Sequence, residues 1–185
     1  MPLIPFADIA SLPQQARDAY ERLPKKLNIF RMWANAPEMF VAGLRLGGNI
    51  LARQKLDARC REMLILLAAK LEGGAYEWVQ HVPIAEGVGC SAAQIAALDE
   101  CRFDAACFDA GEQALLRFAR EVICDVKASK AALEAVKAHF SSQEIVEAIF
   151  TCGFYMMLAR LTETTEVEID ESGGMAVLSE LGRMG

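Results

Sequence analysis

"DARCREMLILLAAKLEGGAYEWVQHVPIAEGVG", Asp57 to Gly89, decides how this chain is read. Its first half is built of good helix formers behind Asp57, a side chain suited to cap a helix start. From Met63 to Ala69 no polar residue interrupts the run. A helix that is apolar on every side belongs in the middle of a fold, not on its surface. Gly73 and Gly74 then supply the stop. The second half, from Ala75, reads as another helix that closes at Gly87 and Gly89. Pro83 falls inside it, cannot donate to the carbonyl of Val79, and is expected to kink or bulge the helix just after His81.

Outward from this pair the helical period dominates and strand-type alternation is scarce, which points to an all-α domain. On the N-terminal side, "LPQQARDAYERLPKK" reads as a short helix between Pro13 and Pro24. "NIFRMWANAPEMF" reads as a short helix with a break before Pro37. A longer helix continues from Pro37, with Gly43, Gly47 and Gly48 expected to mark close packing against a neighbour. On the C-terminal side, "SAAQIAALDE" opens with Ser91 and Gln94, and "SSQEIVEAIFTCGFYMMLARLTETTEVEI" with Ser141 and Glu144. Both are capping boxes by spacing. Between them lie a connector, "CRFDAACFD", and two further helices. The capped apolar helices that begin near Asp57 and Ser141 share a pattern that hints at internal duplication. No linker divides the chain. One domain over 1–185 is expected, with a core of about 28–161, a helical extension over 1–27 and a tail over 162–185 that docks on a neighbour or is mobile.

Of the 185 residues 54% are hydrophobic, and the formal charge is −6. So apolar a composition in a chain without an apolar run of the roughly 18 residues needed to span a bilayer suggests faces buried between subunits. No basic stripe is present, so nucleic acid is not an expected partner, and neither is a membrane. The N-terminus lacks the pattern of a secretory signal, and a cytoplasmic location is expected. The six cysteines, Cys60, Cys90, Cys101, Cys107, Cys124 and Cys152, form no C-x-x-C pair and are scattered through helical patterns. This is the usage of reduced, mostly buried thiols rather than of a disulfide framework.

The chemistry gathers around His81, one of only two histidines. On a helix, residues four apart share a face, so Glu77 neighbours His81 and Tyr76 neighbours Gln80. A carboxylate beside an imidazole orients the ring and raises its basicity, and such a pair moves protons near neutral pH. The spacing is equally that of a hydrogen-bonded structural histidine. A metal site would need more ligands than one face offers, since His139 lies in another segment, and no metal is expected. Cys60, at the head of the central helix, and Cys90 are the best nucleophile candidates, but neither has a histidine adjacent in sequence.

"NIFRMWANAPEMF" together with "REMLILLAAKLEGGAYEWVQHVPIAEGVGCSAAQIAAL" resembles the carboxymuconolactone decarboxylase family of the AhpD-like superfamily. The likeness runs from about Asn28 to Leu98 and more loosely through "SSQEIVEAIF" to Leu161. The resemblance implies an AhpD-like helical domain, an orthogonal helix bundle forming a homotrimer or homohexamer. In the alkylhydroperoxidase branch the motif is Glu, eleven residues, Cys-x-x-Cys, three residues, His. On this chain its glutamate is Glu62 and its histidine His81. The two redox cysteines fall on Gly74 and Glu77, and the relay histidine between them on Tyr76. Both thiols are therefore missing.

The decarboxylase branch implies cofactor-free acid–base chemistry on a small carboxylated lactone or related cyclic acid. There His81 is expected to carry the proton, Glu77 to orient and tune it, and Glu62 and Tyr76 to complete the relay or bind substrate. Arg61, Arg31 and Trp78 are the expected substrate-binding residues, the arginines because an anionic substrate needs cations. Two other readings remain open. One is an AhpD-like peroxidase of the peroxiredoxin type using another cysteine. The other is a non-catalytic binding or assembly protein that keeps the fold.

Overall fold

The computed structural model describes residues 2–170. The expected amphipathic tail beyond Asp170 lies outside the described residues. After a short 3-10 turn at Ile9–Ser11, the chain forms α1 (Gln14–Glu21), α2 (Asn28–Trp33), α3 (Pro37–Ala52), α4 (Ala58–Glu72) and α5 (Ala75–Gly87). It continues with α6 (Ala92–Asp99), α7 (Ala110–Asp125), α8 (Lys130–Lys137) and α9 (Ser142–Thr165). No strand occurs among the described residues. Residues 101–109, expected to connect α6 and α7, contain no helix.

α4 is central, as its sequence requires. Met63 to Ala68 are fully buried, and α5, α6, α7 and α9 pack around the helix. Each of the Met, Leu and Ile side chains among them contributes about 1.5–3 kcal/mol by leaving water. Local chemistry sets both ends. Asp57 accepts from the N–H groups of Arg59 (2.9 Å) and Cys60 (3.3 Å). Gly73 adopts the left-handed conformation (φ 73°), and the Gly74 N–H reaches back to the Ala69 carbonyl at 2.8 Å. This left-handed turn directs α5 back across α4.

The two expected capping boxes form, and a third, Asp109 with Glu112, starts α7. α5 continues as helix through Pro83 to Gly87, so the proline does not end it. Gly43 and Gly47 mark close packing as anticipated. A side chain at 43 would enter the Trp33 ring, and one at 47 would lie 2.9 Å from Phe154. α9 runs to Thr165. By length and composition α9 is apolar enough to cross a bilayer, but half of its most apolar window is buried. Here it is a core helix, packed on α3, α4, α5, α7 and α8. It leaves Val146, Ile149, Phe150 and Met157 exposed along one face.

Candidate active site

The site begins with two adjacent residues of α4. Arg61 and Glu62 belong to the buried part of this helix, with Glu62 fully enclosed. Burying a charge is tolerable only when it is paired, and both are. Arg61 Nε donates to Glu62 Oε1 at 2.9 Å, and Arg61 Nη1 donates to the Leu51 carbonyl at 2.8 Å. The second oxygen of Glu62, Oε2, lies 2.7 Å from His81 Nδ1, across from α5. With the carboxylate as acceptor, Nδ1 carries the proton and Nε2 keeps its lone pair; this tautomer is inferred from the bond. Nε2 makes no hydrogen bond among the described residues. The edge of Tyr155 from α9 meets the ring with centroids 4.9 Å apart, which limits its tilt.

The hydrogen bond that orients His81 therefore comes from Glu62, and not from Glu77, to which the sequence reading gave that task. Glu77 turns the other way. Both of its oxygens accept from Thr162 Oγ1 of α9 at 3.2 Å. Burial pushes its pKa up to about 7, against smaller lowering effects from backbone and Thr162 hydrogen bonds and from His81. A carboxyl group that exchanges its proton near neutrality thus sits on the same helix face as an imidazole with a free nitrogen.

Tyr76 is fixed rather than free. Its hydroxyl donates to Asp170 Oδ2 at 2.6 Å and accepts from the Ile29 N–H at 3.4 Å. Burial first, and then the Asp170 hydrogen bond, raise its pKa far above the phenol range. Gln80 Nε2 donates to the Asp170 carbonyl at 3.1 Å, so Tyr76 and Gln80 together pin the chain at 170 against α5.

Tyr76, Glu77, Gln80, His81 and Tyr155 line one wall of a cavity of about 540 Å³. The remaining wall is mostly apolar and comes from α1, α2, α3 and α9, including Leu27, Ile29, Phe30, Trp33, Leu44, Phe154 and Leu158. This size and composition fit a small-molecule pocket. The expected substrate-binding residues lie elsewhere. Arg61 is buried behind His81, with its Nη2 unpartnered. Arg31 stacks its guanidinium over Phe6 at 4.3 Å, and Trp78 sits beside Lys70. Trp33 lines the cavity where Trp78 does not. The arginines of the lining are Arg22 and Arg45, which the sequence reading did not single out.

No cysteine lines the cavity. Burial raises the Cys60 thiol to about 12 and Cys90 to about 11, which leaves both as poor nucleophiles. At the position of the first missing redox cysteine, a Cβ on Gly74 would lie 2.7 Å from Glu77 Oε2 and 2.8 Å from Ala159 Cβ. The seat of the Glu77 carboxyl and a side chain at 74 are mutually exclusive without rearrangement. Among the described residues no group of three or more His, Cys, Asp or Glu could hold a metal ion.

Residues 37–121 match the family model described as the carboxymuconolactone decarboxylase family. Among solved structures, one similar chain is a protein of unknown function from Agrobacterium tumefaciens, for which AhpD-type antioxidant defence has been suggested. It is 26% identical, with a TM-score of 0.68 over 75% of this chain and 95% of that one. A peroxidase-related protein with an alkylhydroperoxidase AhpD core, from Ralstonia eutropha, shares the fold at 19% identity. Its TM-score is 0.78 over 92% and 93% of the two chains. So does a cysteine-to-alanine variant of the debrominase Bmp8 bound to 2,3,4-tribromopyrrole, at 18% identity, TM-score 0.72 and 97% of each chain. Comparison with curated protein sequences gives no significant match.

Proposed function

We propose, from the match of residues 37–121 to the carboxymuconolactone decarboxylase family model, that this chain is a cofactor-free acid–base enzyme. It decarboxylates, or moves a proton on, a small carboxylated lactone or related cyclic acid. The observation that carries the reading is the 2.7 Å Glu62–His81 bond with Nε2 left free in an apolar cavity, beside a Glu77 carboxyl that titrates near 7.

The chemistry follows from these groups. When the C–C bond to the substrate carboxylate breaks, carbon dioxide leaves. The electron pair stays on the ring carbon and spreads into the lactone carbonyl. His81, protonated at Nε2 by solvent beforehand, delivers that proton to the ring carbon and returns to its neutral form with Nδ1–H on Glu62. One proton is consumed for each carbon dioxide released. Glu62 holds the imidazole in one orientation and stabilises its protonated form, the task a buried carboxylate performs for any general acid–base histidine. Glu77, when protonated, adds no negative charge beside the developing carbanion. The apolar wall disfavours the substrate carboxylate and so favours its loss as neutral carbon dioxide.

The peroxide-reducing alternative draws on the AhpD-like relatives. It lacks a thiol in the cavity and meets Glu77 where the second redox cysteine would be. The deciding experiment is turnover of carboxylated lactones by wild type and His81→Ala, alongside hydroperoxide consumption by a variant without cysteines. Carbon dioxide release that is lost with His81 supports the acid–base reading. Equal rates in the two proteins end it. Thiol-dependent peroxide consumption would put the alternative in its place.

A further inference from the structure

We propose that Arg22 and Arg45 clasp an anion at the mouth of the His81 cavity, so that the ligand is an apolar acid held with a carboxylate at the rim and its carbon body inside. The proposal rests on reading the cavity as a substrate site, and it adds the orientation of the ligand and the source of its anchoring charge.

Three observations carry it. Arg22 ends α1 and Arg45 lies within α3; these helices pack on each other and bring both side chains to the same cavity. Both residues are exposed although they line it, which places them at its opening rather than its floor. Neither guanidinium makes a hydrogen bond or ion pair among the described residues, whereas Arg59, Arg61, Arg102, Arg120 and Arg160 each pair with a carboxylate. Two unengaged forks at the mouth of an apolar hollow are suited to a planar carboxylate.

The floor selects the same orientation. There Glu77 is committed to Thr162, Tyr76 to Asp170, and His81 through its Nδ1 to Glu62. When His81 is protonated its charge is already matched by Glu62, so the floor holds no unpaired cation for a carboxylate, and Glu77 repels one as soon as it ionises. An acid entering this cavity lowers its free energy by leaving its anionic end with the arginines, where water still reaches it. The carboxylate that anchors at the rim is therefore a separate group from the one that reacts beside His81.

The test is calorimetric titration of the full chain with 2-naphthoate and its uncharged counterpart 2-naphthamide at low ionic strength. Wild type should bind 2-naphthoate about tenfold more tightly, the size expected of two partly exposed charge-assisted contacts. The Arg22→Ala, Arg45→Ala double variant should bring the two probes to within about twofold while 2-naphthamide affinity holds. Arg117→Ala, on the exposed face of α7, should keep the wild-type preference. Equal affinities in wild type, a preference that survives the double variant, or no binding of either probe would each overturn the proposal. His81→Ala separates this result from the catalytic reading, because it should retain the 2-naphthoate preference whether or not turnover depends on His81.

Discussion

His81 and His139 occupy two hollows of similar volume, about 540 and 500 Å³, and only in the first is the histidine hydrogen-bonded to a buried carboxylate among the described residues. His139 is exposed in a cleft that also holds Cys60 and four charged residues. Each carboxylate there has a structural task. Asp57 caps α4, Asp109 caps α7, and Glu112 is held by Arg59 at 2.5 Å and Gln94 at 3.2 Å. The His139 ring makes no hydrogen bond among the described residues. His81, by contrast, is buried against a carboxylate that a guanidinium already holds from its other side. The difference shows that charge and volume do not make a site. What matters is a titratable group whose partners are fixed in advance and which keeps one face open to an apolar space.

The comparison can be broken most directly by exchanging the histidines' fates. His81→Ala should lower turnover by about two to four orders of magnitude, the range for a lost general acid–base, while His139→Ala stays within about twofold. Steady-state kinetics on both variants reads this, and a matched loss in the two would erase the distinction.

Glu62→Gln should have the next largest effect. It keeps the shape but withdraws the charge shared by Arg61 and His81, so kcat should fall about a hundredfold with KM little changed. It also leaves Arg61 buried without its counter-charge, and a stability loss of about 3 kcal/mol should appear in urea unfolding.

Glu77 offers a subtler test through pH. Its folded pKa, about 7, lies above the ordinary 4.5. The folded state therefore holds this proton more tightly than the unfolded chain does. Its contribution is least unfavourable below about pH 4.5, worsens as pH rises to about 7, and levels off above that. Glu77→Gln should flatten this decline and be more stable than wild type at pH 8 by roughly 2–3 kcal/mol. In catalysis the same titration should produce a falling limb near pH 7, absent in Glu77→Gln. A wild-type profile flat between pH 6 and 8 would mean that Glu77 does not titrate in the way its burial dictates.

The smallest effect is expected at the cysteines. Cys60→Ala and Cys90→Ala should leave turnover within about twofold, since burial keeps both as thiols and neither lines the His81 cavity. Rates for the two variants check this, and a large loss in either would reopen the thiol-based reading.

The central helix, its Asp57 cap, its glycine stop and two of the capping boxes were legible because each depends on neighbours in sequence. The tight glycines of α3 were legible as a signal, though not their partners Trp33 and Phe154. Within the site, Glu62, Tyr76, Glu77 and His81 were all singled out, yet the spacing of Glu77 and His81 suggested a bond that the molecule makes between Glu62 and His81 instead. A shared helix face permits contact without compelling it, and Thr162 offers Glu77 another partner. Tyr155 and Thr162 were not singled out, although they stand seven apart in an apolar helix, a spacing that puts them on one face. Their relation to α5 was not visible.

By itself, then, the sequence determined a helical domain with a buried α4 and a set of titratable residues on α4 and α5 with no cysteine pair among them. Those are consequences of residue type and short-range spacing, which act before any packing. Only the tertiary structure decided that Glu62 holds His81, that Glu77 is buried enough to titrate near 7, and that Arg22 and Arg45 face the cavity while Arg61, Arg31 and Trp78 do not. Each of these depends on which helices meet, on how completely they exclude water from a carboxyl group, and on which side of a helix is left facing a cavity. None of these is encoded in the spacing of residues along one helix.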